Sequence, residues 1–178
     1  AAMALIQAME RVRPQLPPEV QELFGYGVAI HAGMAMIGNK GSPKRLDYGV
    51  MGDLINSAAR VESLTKAYGI PLLMTRAASD KLSPRPACRV IDVVLPVGKS
   101  TPLELLEAPH PLSPSAFEPL AVEYAAAFRD YQEGRFGGAR EAFADLAARY
   151  RDPASRCLAK RCEELLVEPP AQWAGVYR

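Results

Sequence analysis

Apolar and polar positions fall into two regimes along the chain. Up to about residue 108, short apolar runs are punctuated by glycine and proline, the pattern of strands and short helices. From about residue 120 onward, apolar positions recur at helical spacing. AAMALIQAMERV is rich in strong helix formers and predicts an opening helix. No capping residue precedes it, so the sequence is expected to begin partway through a domain. RPQLPPEVQELFG reads as a proline-broken connection. YGVAIHAGMAMIG predicts two strands hinged near Ala32 and Gly33, where small residues let backbones approach. NKGSPKR predicts a turn or projecting hairpin tip. RLDYGVMGDLINSAARVES then gives a Tyr-bearing turn, a Gly-Asp pair and a helix. YGIPLLMTRAASDKL predicts a short buried strand, Ile70 to Thr75, and a brief helix. CRVIDVVLPVGKSTPLELLEA predicts a hairpin turning near Pro96, Val97 and Gly98.

The composition changes at APHPLSPSAFEP, a proline-rich linker that places a domain boundary at residues 109–119. Residues 120–178 are expected to form a helical tail. Tyr124, Phe128, Tyr131, Phe136, Ala139 and Phe143 give two apolar faces around the turn Glu133-Gly134-Arg135, which resembles a single tetratricopeptide-like hairpin. One such hairpin has no stacking neighbours to bury its faces, so the tail is expected to pack back on its own domain. A third helix is expected around Cys157 to Leu166, and Trp173 is expected to dock somewhere apolar.

The chain has 178 residues, 49% hydrophobic, enough for one core and a small appendage. A formal net charge of +1 lacks the broad basic field of a nucleic-acid binder. No run approaches the roughly 20 apolar residues of a membrane span. The opening residues carry no basic region or cleavage site of a secretion signal. Three cysteines, Cys88, Cys157 and Cys162, make neither a disulfide framework nor a zinc site. Reduced thiols in a cytoplasmic protein are the reading.

Within the central helix, Asp53 is expected to cap by accepting backbone N–H bonds. Leu54, Ile55, Ala58, Ala59 and Val61 form an apolar arc expected to lie on the sheet, broken by Glu62. Asn56 and Arg60, at i and i+4, share the opposite side. By periodicity, such a pair is a solvated helix face.

A longer string changes that reading. It comprises Ala29-Ile30-His31-Ala32-Gly33, Gly38-Asn39-Lys40-Gly41, Arg45-Leu46-Asp47-Tyr48, Gly52-Asp53 and Ile55-Asn56-Ser57-Ala58-Ala59-Arg60. In this fixed order the elements resemble the second half of a class III nucleotide cyclase catalytic domain, and a looser likeness extends over residues 1–108. The resemblance implies an α+β fold, the C-terminal portion of a ferredoxin-like cyclase domain with an antiparallel-rich sheet and packed helices. It implies that ATP, or GTP in guanylate-forming members, is cyclised with release of pyrophosphate in intracellular signalling. It also implies roles: Arg60 stabilises charge on the α-phosphoryl oxygens, and Asn56 holds the ribose. Gly49, Val50 and Met51 lie where the family contacts the base, and Gly49 has no side chain to read its edge. ATP is expected as the commoner family substrate.

The family uses two Mg²⁺ or Mn²⁺ ions held by two aspartates on strands expected upstream of this chain, so no metal ligand is assigned here. Its site lies between subunits, which implies a homodimer or a cyclase partner subunit, with the chain inactive alone. The alternative is a non-catalytic regulatory module that dimerises with a competent partner.

Three features are set aside. Gly98-Lys99-Ser100-Thr101 lacks the earlier glycine of a phosphate loop and is followed by Pro102. Lys40, Lys44 and Arg45 read as a solvated hairpin tip. His31 reads as a structural strand residue.

Overall fold

The computed structural model describes the chain apart from residues 43–44, 97, 110–113 and 178, and apart from the side chains of residues 40, 42, 45, 46 and 114–116. The hairpin tip at Pro43-Lys44, the side chains of the Lys40/Lys44/Arg45 cluster, the turn residue Val97 and the middle of the linker therefore lie outside the described residues.

The architecture is α+β, as expected. The opening helix α1 (Ala2–Val12) runs into a 3₁₀ turn, Arg13–Gln15, and a short helix α2 (Pro18–Leu23). Strand β1 (Val28–Ile30) is followed by the ribbon β2 (Met36–Ser42) and β3 (Arg45–Met51), then helix α3 (Asp53–Tyr68). Next come β4 (Leu72–Thr75), α4 (Arg76–Ser79), β5 (Arg89–Val94) and β6 (Leu103–Glu107). The tail consists of α5 (Pro114–Gln132), α6 (Phe136–Tyr150) and α7 (Pro153–Val167). The helix α5 starts inside the stretch read as linker, and Phe117 is already buried in it.

The four-stranded sheet has the order β1-β4-β6-β5, with β1 parallel to β4 and the other two pairings antiparallel. β2 and β3 form a separate two-stranded ribbon. β4 is buried on both faces, which explains its unbroken apolar run. On one face, Leu73, Ile91 and Leu105 meet Val61 and Tyr68 of α3 and the tail residues Tyr124, Phe128, Phe143 and Leu158. On the other face, Met74 and Leu106 pack with Met3 of α1. Sheet and tail thus share one continuous core, and the expectation that the tail folds back is met.

The buried stripe of α3 differs from the expected arc. It runs Leu54-Ser57-Ala58-Val61-Leu64-Thr65-Tyr68, the i, i+3, i+4 series. Ile55 is 46% exposed and Ala59 is exposed, so both leave the arc. Small polar residues Ser57 and Thr65 take buried positions, and at Thr65 the backbone just before β1 comes close: a Cβ at Gly27 would lie 2.0 Å from Thr65 Oγ1. Glu62 falls outside this stripe, in solvent, which removes its conflict with the pattern. The helix ends at Gly69 in the left-handed region (φ 66°), where a Cβ would also meet Pro153 at 2.6 Å.

Two buried arginines fasten the tail to the sheet. Arg161 of α7 donates to Asp92 of β5 and, over 3.1 Å, to the Tyr68 hydroxyl. Tyr68 in turn donates to Asp92 over 2.5 Å. Arg89 of β5 forks onto Asp152 over 2.5 and 3.0 Å and reaches Glu107 over 2.5 Å. Asp152 also caps α7, accepting from the Ser155 N–H and hydroxyl over 2.8 and 2.7 Å. Trp173 docks as expected against Tyr131 and Phe136, and its Nε1 donates to the Tyr131 carbonyl.

Candidate functional site

The sheet holds α3 by one face, and the opposite face carries the residues of interest. Asn56 and Arg60 are both exposed there, one turn apart. Gly52 (φ 115°) is the single residue between β3 and α3, so the strand end at Gly49, Val50 and Met51 leads directly into the first turn of the helix. In the ribbon, Gly49 stands opposite Gly38, Val50 opposite Ile37 and Met51 opposite Met36. The Gly49–Gly38 pair leaves a stretch of bare backbone, so any recognition there falls to main-chain N–H and C=O groups.

Asp53 does not cap the helix. Gly52 occupies the cap position and Asp53 is the first helical residue, with no side-chain capping bond. Its carboxylate pairs with the ammonium of Lys99 from the β5–β6 loop. An anion in the first turn suits the helix dipole, and the pair ties that loop to the start of α3. A contact between loop and helix leaves no local periodicity, so sequence reading did not find this pair.

Exposed apolar side chains occur at Met34 before the ribbon, at Met36, Ile37, Tyr48 and Val50 on it, and at Ile55 in the first turn of α3. Met34 is 96% and Tyr48 76% exposed. Single exposed apolar residues are ordinary; by the register of the ribbon, Ile37, Tyr48 and Val50 fall on one of its faces.

Asp53 and Asp92 do not fit a two-metal centre. Asp53 is engaged by Lys99, and Asp92 is enclosed by Arg161 and Tyr68. Among the described residues, no group of three or more His, Cys, Asp or Glu could hold a metal ion. His31 stands just past β1 and shares a 2.9 Å hydrogen bond with Thr75 Oγ1. Burial holds its imidazole below the usual histidine pKa, in keeping with a structural role. Cys88, Cys157 and Cys162 form no disulfide.

Two concavities flank α3. One of about 740 Å³ lies by α1, residues 22–27 and the C-terminal half of α3, with Glu62 and Lys66 in its lining, away from Asn56 and Arg60. The other, about 360 Å³, has Arg60 in its wall. Arg60 is thus shared between the solvent face of α3 and an adjacent hollow. Among the described residues, no helix is long and apolar enough to cross a membrane.

No family model matches the chain. The chain is 34% identical over 90 residues to adenylate cyclase 1 of Rhizobium meliloti, covering 51% of this chain and 13% of that protein. It is 32% identical over 87 residues to an adenylate cyclase of Anabaena cylindrica, covering 47% of this chain and 17% of that protein. The chain therefore spans less than a fifth of these curated relatives' lengths. A bacterial light-regulated adenylyl cyclase superposes with a TM-score of 0.51 at 20% identity, over 60% of this chain and 30% of that one. A second structure of such an enzyme gives 0.52 at 21%, over 60% and 31%. The motif order, the sheet with its packed helices and these likenesses agree: the chain carries a class III nucleotide cyclase-like domain.

Proposed function

We propose that this chain supplies the asparagine–arginine half of a nucleotide cyclase site, which forms cyclic AMP from ATP in cytoplasmic signal transduction once a second half completes it. The observation that carries the reading is the placement of Asn56 and Arg60 together on the solvent face of a helix whose other face is locked to the sheet. In the reaction, the 3′-oxygen of ATP loses its proton and bonds to the α-phosphorus. The bond from that phosphorus to the bridging oxygen breaks, and pyrophosphate leaves with the electron pair. Arg60 stabilises the charge gathering on the α-phosphoryl oxygens, and Asn56 holds the ribose so that the attacking oxygen is in line. Backbone groups of Gly49, Val50 and Met51 contact the base. The Mg²⁺ or Mn²⁺ pair implied by the family finds no donor set among the described residues, so in this reading its aspartates belong to another part of the assembly. The exposed apolar ribbon is the surface on which a second copy or a cyclase partner subunit seats.

Complementation tests this. The chain is mixed with a class III cyclase subunit whose own Asn and Arg positions are inactivated, and cyclic AMP is measured with ATP and Mn²⁺. The chain alone is expected to be silent and the mixture active. A mixture that associates but stays silent favours a second reading, a regulatory module that pairs without performing catalysis. Bare backbone at Gly49, where a base-reading side chain would stand, is the feature that supports that alternative.

A further inference from the structure

Two glycines oppose each other in the ribbon that leads into the Asn56–Arg60 helix. Gly38 of β2 and Gly49 of β3 are directly paired, and the register runs unbroken from Met36 and Met51 to Ser42 and Arg45. No bulge therefore calls for a glycine at this rung. Nor does the backbone, since both residues lie in extended strands and neither has a positive φ. Glycine inside a strand weakens it, and its positive use there is to let something approach the main chain closely. Among the described residues, nothing of the chain itself takes up that room at Gly38, where an added Cβ would meet no atom within 4 Å.

The alternation of the strands fixes what adjoins the gap. Residues two apart share a face, so Met36 and Met51 form the neighbouring rung on the side of the two glycines. Met36 is largely exposed and Met51 half-buried. Ile37, Val50, Asn39 and Tyr48 belong to the other side. The glycine side thus offers bare main chain beside two thioether side chains, which adapt to flat rings of differing outline. Only Val50, Met51 and Gly52 separate Gly49 from the start of α3.

Given the cyclase reading, on which this step rests, we propose that the Gly38–Gly49 rung makes the site indifferent to the purine edge. ATP and GTP are both cyclised, and an ATP enlarged at its N6 amino group is accepted. Adenine carries an amino donor at C6, where guanine carries a carbonyl acceptor. A side chain bonded to one of these groups is left unpaired by the other, and that unpaired group is what rejects the wrong base by orders of magnitude. With no side chain at either glycine, that penalty is absent. The open space over Gly38 takes the added substituent.

The test measures kcat/KM for ATP, GTP and N6-benzyl-ATP in the complemented assembly. The partner subunit is the same in every arm, so differences between variants belong to this chain. The wild-type chain is expected to use the three nucleotides within about tenfold of one another. Gly49→Asp places an acceptor at the bare rung and is expected to lower GTP relative to ATP at least about tenfold. Gly38→Val, a residue suited to an extended strand, fills the gap and is expected to lower N6-benzyl-ATP relative to ATP at least about tenfold. A wild-type preference beyond about tenfold, or a folded variant that leaves its nucleotide ratio unchanged, overturns the proposal. The wild-type arm stands even where a variant fails to fold. Turnover of ATP alone keeps the cyclase reading and removes this one, whereas silence with all three nucleotides removes both.

Discussion

The carboxylate of Asp92 and the guanidinium of Arg161 meet in the core although 69 residues separate them in the chain. Asp92 is fully buried, and Tyr68 of α3 completes the cluster by bonding to both. This triangle links the helix that carries Asn56 and Arg60, the sheet beneath it and the tail. The tail is therefore part of the support of the candidate site.

Removing Arg161 leaves a buried anion without its cation. Arg161→Met is expected to destabilise the chain by about 3–5 kcal/mol, because an uncompensated buried charge costs more than the intact pair contributes. The double variant Asp92→Asn with Arg161→Met is expected to recover part of the loss. Urea unfolding measures both, and a loss below about 1 kcal/mol for Arg161→Met contradicts the account.

Asp152 makes the tail docking acid-sensitive. Burial pushes its carboxyl pKa up, but the Arg89 fork and the Ser155 bonds outweigh burial and hold it below the ordinary value. A carboxylate depressed in the folded state contributes stability fully above its unfolded pKa and loses it as pH falls through the folded one. Glu107, on the same guanidinium, is shifted up by burial, so it titrates in the opposite sense. The melting temperature is expected to fall as pH drops below about 4, and Asp152→Asn should flatten that fall. An unchanged slope in the variant excludes Asp152 as the group responsible.

How much of this was legible in the sequence depends on how local each signal is. The helix over residues 53–68, the β5–β6 hairpin and the docking of Trp173 follow from residue type and spacing, whereas Arg45–Met51, read as a Tyr-bearing turn, is strand β3 paired along its length with β2. The buried face of α3 departs from the expected arc because residue type does not fix burial: Ser57 and Thr65 lie inside, Thr65 against Gly27, and Ile55 lies outside. The Asp53 cap failed because Gly52 can take the positive φ that starts the helix and Lys99 claims the carboxylate. Arg161 and Arg89 were not foreseen, since an ion pair between distant segments has no periodicity. The candidate site was legible through the motif order alone, as helix geometry by itself gave only a solvated face.

Gly69 is required twice over, by its left-handed backbone and by Pro153 against it. Gly69→Ala is expected to cost about 1–3 kcal/mol, combining the conformational penalty with displacement of the start of α7. Denaturant midpoints read the effect, and a neutral variant would show that α7 is not pressed against this turn.

Cys162 is buried, and burial pushes its thiol up to about 11. At pH 8 it is therefore overwhelmingly protonated and shielded, so alkylation by iodoacetamide is expected to require unfolding. Mass spectrometry of native and urea-treated protein gives the comparison; equal labelling in both states contradicts the assigned burial.

The central claim, that the Arg60 side chain acts on a triphosphate across a cleft closed by another half, is tested most directly by the turnover of Arg60→Ala in the complemented assembly at saturating ATP. The account predicts a fall of roughly a hundredfold, on the order of 3 kcal/mol in the barrier, with an unchanged circular dichroism spectrum and melting temperature. A variant that folds and turns over at the wild-type rate would contradict it.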